Sequence, residues 1–593
     1  MNSVNKEKNI KDVHPDDLEK MRHSASHVLA QAVLKVFPKA KLGIGPAIEN
    51  GFYYDFDLPR PLREDDLANI EKEMKAIIKR DLLFSQIRLP RKDVIECLEK
   101  EDQGYKLDLI KDIEDKDLST YVTGNGEFTD LCRGPHVKST GEIGAIALDR
   151  IAGAYWRGDE KKPMLQRIYG LAFPTQEELE AYMELRERLL EVDHRKLGKQ
   201  MNLFSFHEES PGNAFWHPKG LKLMNTLIEY WREVHEKEGY VEVRTPVLLN
   251  IDTWKRSGHL DNFREKMYMV QTFDADTFNY AIKPMNCDGG ILIYKNTQHS
   301  YREFPIRMGE LGVVHRYESS GETHGLLRVR EFTQDDAHIY CTPNQIKSEL
   351  KGVIHLCLDF YAAFGMKVHH IELSTRPEKS TGSDEIWEKA ESIMREVMEE
   401  EGIKKQINEG EGAFYGPKFD FQLSDSMGRT WQCGTIQLDF AQPENFDLEY
   451  IDEKGEKSRP IMIHRVVYGS IERFLGVLLE NYEGVLPFWI APEQVRIVPI
   501  SDRHTEYAEN IRQKLKKVKI DATVDDRGET MQSRIRDAEL EKIPYILVVG
   551  DKEQDSESVA VRPHGKKDTG MVSVEEFIKL TTKEIRTKTH AEG

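Results

Sequence analysis

The chain has 593 residues, enough for roughly four domains of about 150 residues each. With 41 Gly, 24 Pro and 39% apolar residues, its composition excludes a fibrous, low-complexity or globally disordered protein. A formal charge of −19 excludes a protein that coats nucleic acid with its whole surface, so any such contact needs a local basic patch.

The N-terminal stretch MNSVNKEKNIKDVHPDD is polar and lacks the apolar segment of a secretory signal. No run of about 18 apolar residues follows it. Six cysteines (Cys97, Cys132, Cys287, Cys341, Cys357 and Cys433) form no CxxC pair and no dense framework, which fits a reducing compartment. The expectation is a cytoplasmic multidomain protein mixing α+β and α/β folds, with no membrane and no DNA partner. After a polar tail (1–15), Asp16 and Asp17 open a helix over 16–37, with Leu18, Met21, Val28, Leu29, Ala32 and Val36 on one side. His23 and His27 share a face roughly opposite that stripe, which argues against two core histidines. LGIGPAIENGFYYDFD then supplies turns and an aromatic strand pattern, 63–80 reads as a helix, and 119–172 as strands and loops.

Within DLCRGPH, Cys132 and His136 lie four apart, with Asp130 beside them. HxxxH together with CxxxH suits a tetrahedral zinc site by spacing. It also suits a metal-free hydrolytic site in which His and Cys do acid–base and positioning work, and the spacing does not choose. The first domain is therefore α+β over 16–173, followed by a charged connecting helix over 174–202. Alternating segments interspersed with helices over 203–488 predict a large antiparallel sheet with helices packed on it. Strand–helix alternation over 489–593 predicts a parallel βαβ sheet. From residue 491 the segment is near neutral, with 19 basic and 20 acidic residues. There Arg512, Lys514, Lys516, Lys517 and Lys519 form either a solvated helix face or an RNA contact.

In the central segment, Arg316, Arg328 and Arg473 are candidates to neutralise phosphates. Their contexts carry a resemblance. HRYE, VREFTQDDAHIY and GSIERF resemble motifs two and three of the class II aminoacyl-tRNA synthetases, and VRTPVLL, with Pro246, resembles the motif one that forms the dimer interface in that class. KPMNC, FTQDDAHIY and HRVVYGSIERF together resemble the threonyl-tRNA synthetase family, HSASH with LCRGPH its editing domain, and IAPEQVRIVPIS its anticodon-binding domain. The resemblance implies an α+β editing domain, a class II antiparallel-sheet catalytic core and a C-terminal α/β anticodon-binding domain. It implies L-threonine, ATP with Mg2+, and tRNA(Thr) as partners, one zinc per subunit in the catalytic domain, and a homodimer through motif one.

Residue by residue, the resemblance makes Cys287, His338 and His464 the zinc ligands, although separations of 51 and 126 residues match no compact metal motif. Arg316 and Arg473 correspond to the α- and γ-phosphate arginines, Glu318 to a reader of the adenine amino group, and Phe332 to the ring stacked on adenine. Gln334, Asp336, Tyr415 and Gln437 line the corresponding amino-acid pocket, Gln432 and Ser470 lie near the adenylate, and His259 matches a histidine assisting transfer to tRNA. His23, His27, Lys106, Asp130, Cys132 and His136 match the hydrolytic site, which in that family works without metal.

These parts explain one another. Valine is nearly isosteric with threonine, and an apolar pocket separates such a pair only about a hundredfold. A zinc with three protein ligands keeps one position open, where threonine can offer amine and hydroxyl and valine only an amine. Serine offers both and lacks one methyl, worth roughly 1–3 kcal/mol, so a second, hydrolytic site for seryl-tRNA follows.

Three departures from the family pattern stand out. Only about 15 polar residues precede the editing domain, where the family carries a small ubiquitin-like domain. The family's NCPGH reads NCDGG, which places Asp288 and Gly290 near Cys287, and its VRGF reads VREF, which places Glu331 beside Phe332. The alternatives are a weakly active, RNA-binding regulatory or inhibitor-resistant paralogue, or a free hydrolase with an idle synthetase core. Intact metal-ligand and arginine positions predict that synthesis is retained.

Overall fold

The computed structural model describes residues 14–159, 161–566 and 569–588. Most of the expected N-terminal tail lies outside them. The chain divides into two compact units, 1–189 and 190–593, with the dividing point inside the helix Gln176–Glu191.

In the first unit the helix Pro15–Val36 starts where the sequence places it, with Asp16 and Asp17 in its first turn. A five-stranded antiparallel sheet runs Lys41–Leu42, Gly51–Asp57, Met164–Phe173, Ala145–Tyr155, with Ala47–Ile48 also paired to Gly51–Asp57. Val28, Leu29, Ala32 and Val33 pack with Phe52, Phe56, Ile70, Met74 and Ile168 in the core. The expectation that His23 and His27 lie clear of the core is corrected for His27, while His23 is half-buried. Every residue from Ser24 to Val33 is buried, and His27 is 3% exposed. The helix is covered on its polar side as well, where Ser24 Oγ accepts from Val137 N and Ser26 Oγ donates to Gly45 O.

The second unit is built on an eight-stranded sheet. Its order is Val241–Glu242, Ile306–His315, Glu331–Cys341, Ile461–Val466, Thr430–Asp439, Lys418–Ser424, Lys367–Ser374, Ile407–Asn408. The outermost pair at each edge is parallel and the five inner pairs are antiparallel. Period-two alternation puts Phe332, Gln334, Asp336 and His338 on one face. On the other, Asp335 accepts the backbone amides of Val467, Tyr468 and Gly469, and the helices Ile346–Ala363 and Ile471–Asn481 pack against these strands.

The C-terminal sheet bears out the parallel βαβ expectation for its first three strands and adds two more. Ala522–Val524, Val495–Pro499 and Tyr545–Val549 are parallel, but Ser558–Pro563 and Met571–Ser573 continue the sheet antiparallel. Only residues 550–557 separate Tyr545–Val549 from Ser558–Pro563, too few for a crossover, so the chain reverses instead. Lys514, Lys516, Lys517 and Lys519 are exposed along and beside the helix Thr505–Lys517, whereas Arg512 is paired to Glu509.

Glu493 joins this part to the helix Pro218–Lys237. It is 3% exposed, its Oε1 accepts from Arg496 Nε at 2.6 Å, and its Oε2 lies 2.7 Å from Lys219 Nζ. Burial opposes its charge, but Arg496 and Lys219 outweigh burial and hold its pKa down at about 2. A depressed folded pKa contributes stability above the unfolded value of 4.5, lost as pH falls from there toward 2. Glu493→Gln is expected to cost about 2 kcal/mol at pH 7 and to flatten that acid limb, as read by urea melts across pH. Equal acid sensitivity in variant and wild type rules this out.

Candidate active sites

Register brings distant residues together. His464 stands directly opposite His338 on one neighbouring strand and Gln437 on the other, and directly paired residues share a face. Cys287 begins the helix Cys287–Lys295. Ligand atoms of Cys287, His338 and His464 all lie within 4.8 Å of one another, and all three residues are buried. Asp439 Oδ2 sits 2.8 Å from His464 Nε2, which leaves Nδ1 free, and His338 Nε2 is buried without a hydrogen-bond partner among the described residues. An orphaned imidazole nitrogen, a carboxylate-oriented imidazole and a thiol form a donor set suited to zinc with an open fourth position. Burial raises the Cys287 pKa, reinforced by Asp288, Asp336 and Asp439, a bias that a dication reverses.

Beside this cluster lies a cavity of about 250 Å³. Arg316, Gln334, Asp336, Tyr415, Gln432 and Gln437 line it, together with Cys287 and His464. Tyr415 OH donates to Gln437 Oε1 at 2.6 Å, and Asn286 Nδ2 lies 3.4 Å from Asp336 Oδ2. Burial pushes the Asp336 carboxyl up to about 7, a bias that an approaching ammonium offsets. The half-buried Arg316 guanidinium lies 5.1 Å from the Phe332 ring centroid. Arg473, in the first turn of the helix Ile471–Asn481, donates to Gln432 O and Leu327 O, and its amide is capped by Ser470 Oγ at 3.1 Å. Glu318 Oε2 accepts from Lys266 at 2.7 Å and from Arg328 at 3.0 Å. His259 is not among the cavity-lining residues. It is fully buried, with Nδ1 2.7 Å from Ser257 Oγ and Nε2 3.0 Å from Met285 Sδ, and burial pushes its pKa down to about 3.

In the first unit, one ligand atom each from His23, His27, Cys132 and His136 converges within 4.8 Å. Cys132 Sγ is 3.4 Å from both His23 Nε2 and His136 Nε2. The outer nitrogens are held by Pro135 O on His23 and Ser24 Oγ on His136. Lys106 Nζ lies 2.6 Å from Asp130 Oδ1, with both side chains almost fully buried, and Tyr54 OH donates to Asp130 Oδ2 at 2.6 Å. Burial dominates the electrostatics, pushing the Cys132 thiol up to about 11 and His136 down to about 2. The cluster is thus neutral near pH 7, beside one buried ion pair.

Three family models match. Residues 268–482 match the tRNA synthetase class II core domain (G, H, P, S and T), 494–584 an anticodon binding domain, and 119–169 the threonyl and alanyl tRNA synthetase second additional domain. The chain is 54% identical to the threonine–tRNA ligase of Carboxydothermus hydrogenoformans over 96% of its length and 89% of that protein. The chain belongs to the threonine–tRNA ligase family. The Clostridium botulinum ligase is 51% identical over the same share of each chain. Among solved structures, the RNA binding domain of threonyl-tRNA synthetase from Cryptosporidium parvum Iowa II aligns with a TM-score of 0.63 at 38% identity, covering 66% of this chain and 98% of that one. Prolyl-tRNA synthetase from the same organism, at 17% identity and a TM-score of 0.53, shares the fold.

Against the threonine–tRNA ligase pattern, two of the departures, Gly290 and Glu331, have local explanations. Asp288 occupies the first turn of Cys287–Lys295, where the helix dipole favours a carboxylate, but both of its oxygens are buried without a hydrogen-bond partner among the described residues. It is fully buried, its Oδ1 3.5 Å from His259 Nδ1, and burial pushes its pKa up to about 7. A Cβ on Gly290 falls 3.3 Å from His338 Nδ1, so glycine leaves this side of the ligand imidazole open where the family motif has histidine. Glu331 does not share a face with Phe332. Being adjacent to Phe332 on the strand, it points to the opposite face, where it pairs with His315 at 2.8 Å. Glu331→Gln is therefore expected to leave KM for ATP within about twofold of wild type in pyrophosphate exchange. A tenfold rise would place this carboxylate at the nucleotide after all.

Sequence reading missed Tyr54, Ser24, Asn286 and Asp420. Asp420 Oδ1 accepts from Gln432 Nε2 at 2.6 Å and from Thr435 Oγ1 at 2.9 Å, so it anchors two side chains that line the cavity. Its one signal in the sequence is a carboxylate within the apolar run KFDFQL.

Proposed function

We propose that this chain activates L-threonine with ATP and transfers it to tRNA(Thr), and that its first unit hydrolyses seryl-tRNA(Thr). The observation that carries the reading is the convergence of Cys287, His338 and His464 beside a cavity lined by Asp336, Gln437 and Arg316. Cys287, His338 and His464 are the residues that hold zinc, which when bound supplies a Lewis-acid position for the amine and hydroxyl of threonine. Asp336 pairs with the amine, and Tyr415 and Gln437, locked to each other, bound the pocket around the side chain. The step is attack of the threonine carboxylate on the α-phosphorus of ATP with loss of pyrophosphate, so positioning and charge stabilisation dominate. Arg316 lies at the carboxylate and α-phosphate, and Arg473, held by Gln432 and Leu327, faces the outer phosphates and their Mg2+. Phe332 offers a stacking face for adenine and Glu318 an acceptor for its amino group, while Arg328 helps hold Glu318. Gln432 and Ser470 border the adenylate. In this conformation His259 acts on transfer only after Met285 moves.

In the first unit the same reading is hydrolysis without metal. The buried Lys106 supplies the positive charge, Asp130 orients it, and the neutral His23, His27, His136 and Cys132 position the ester and a water. Exposed apolar residues around Pro246 (Val247, Leu248, Leu292 and Ile293) support a homodimer through this face. Lys514, Lys516, Lys517 and Lys519 support contact with the anticodon stem. Among the described residues no helix is long and apolar enough to cross a membrane, and the reading places the protein in the cytoplasm.

The test is threonine-dependent ATP–pyrophosphate exchange on purified protein, with elemental analysis. Exchange with one zinc per chain is expected. No exchange in the presence of zinc overturns the reading, and two zinc ions per chain would overturn metal-free hydrolysis.

A further inference from the structure

Away from both sites, Asp193, His194 and Glu480 form a further cluster with metal-like spacing, His194 and Glu480 buried and Asp193 half-buried, but the ring of His194 has no nitrogen to spare. Its Nε2 accepts a hydrogen bond from the Leu326 amide at 2.9 Å, so this nitrogen is unprotonated. The proton therefore sits on Nδ1, which donates to Glu480 Oε1 at 2.6 Å. The His194 amide donates to the same oxygen, and Glu480 Oε2 is held by Arg429 at 2.7 Å. His194 is fully buried and Glu480 is 3% exposed.

Leu326 belongs to the loop between the strands Ile306–His315 and Glu331–Cys341, which also carries Glu318 and Arg328. The neighbouring carbonyl of Leu327 accepts from Arg473 Nη1 at 3.1 Å. The helix Ile471–Asn481 therefore grips this loop from both ends, through Arg473 near its start and through Glu480 and His194 near its finish. The fit is close. Gly325 has φ +50°, and a Cβ there would fall 2.1 Å from His194 Nε2. Neutral imidazole suits this place because it donates at one edge and accepts at the other within a rigid ring.

We propose that His194 is a positioning residue for nucleotide binding, fixing the 316–330 loop through the Leu326 amide so that Arg473, Glu318 and Arg328 are presented together to ATP. The proposal rests on the ATP-binding reading of this site. The experiment measures KM for ATP and for threonine separately, by pyrophosphate exchange, in wild type, His194→Asn and His194→Gln. Asparagine keeps a partner for Glu480 and severs the link to Leu326. It is expected to raise KM for ATP about tenfold and leave KM for threonine within twofold. Glutamine reaches the Nε2 position with both a donor and an acceptor, and is expected to return KM for ATP to within threefold of wild type. Hydrolysis of seryl-tRNA, which belongs to the first unit, should not change in either variant, and the unmoved KM for threonine is what monitors folding of the second unit, where His194 lies. A KM for ATP unmoved in the asparagine variant, a KM for threonine rising in step with it, or a glutamine variant as impaired as the asparagine one overturns the proposal. Wild type lacking threonine-dependent exchange instead overturns the reading beneath it.

Discussion

Cys287→Ser is expected to lose its zinc and at least about a hundredfold in threonine-dependent pyrophosphate exchange. A serine hydroxyl stays protonated near neutral pH and is a poor zinc ligand, so His338 and His464 are left as two imidazoles with no anionic partner. The substitution is nearly isosteric in a site that is 2% exposed, so the fold should persist and the loss should be chemical. Discrimination should fail along with rate. Without a position that demands amine and hydroxyl together, residual activation should prefer threonine over valine by no more than about a hundredfold, the most that pocket shape alone supplies. Elemental analysis and exchange with each amino acid check this. Full zinc content or unchanged exchange in the variant would mean that the three residues do not form the metal centre.

Cys132→Ala is expected to let seryl-tRNA(Thr) accumulate while threonine charging stays within about twofold of wild type. The pocket lacks one methyl contact to serine, worth roughly 1–3 kcal/mol, so serine should be charged at about one-tenth to one two-hundredth of the threonine rate at equal concentrations. Wild type should show almost none of it at steady state. The thiol, raised by burial and contacted by two imidazoles at 3.4 Å, is neutral near pH 7, so Cys132→Ser is not expected to restore clearance fully either. Charging one tRNA preparation with radiolabelled serine and threonine separates the outcomes. Seryl-tRNA cleared by the variant as fast as by wild type would remove Cys132 from the hydrolytic site.

Local pattern carried much of this protein. Apolar spacing and paired aspartates located the helix Pro15–Val36, and HxxxH with CxxxH was enough to nominate the cluster in the first unit, because residues four apart on a helix or in a short loop are bound to be neighbours. The βαβ start of the C-terminal sheet was legible for the same reason, and its antiparallel completion was not, since Ser558–Pro563 and Met571–Ser573 are short and their direction is set by the length of the connection before them. Burial of His27 was misread because helical periodicity shows which residues share a face and not how many faces are covered.

What remained belongs to the tertiary structure. Cys287, His338 and His464 meet because strand register sets His464 opposite His338, and no linear spacing encodes register between strands more than a hundred residues apart; family resemblance, not periodicity, named them. Asp420 beneath Gln432, Asn286 beside Asp336, and His194 between Glu480 and Leu326 are hydrogen-bonded partners whose identities depend on three-dimensional proximity alone. The sequence by itself determined the kinds of chemistry available and the family that uses them. Folding decided which groups lose water and which find partners. That difference leaves Glu331 paired on the far face of its strand, His259 shut behind Met285, and His338 Nε2 buried without a hydrogen-bond partner among the described residues.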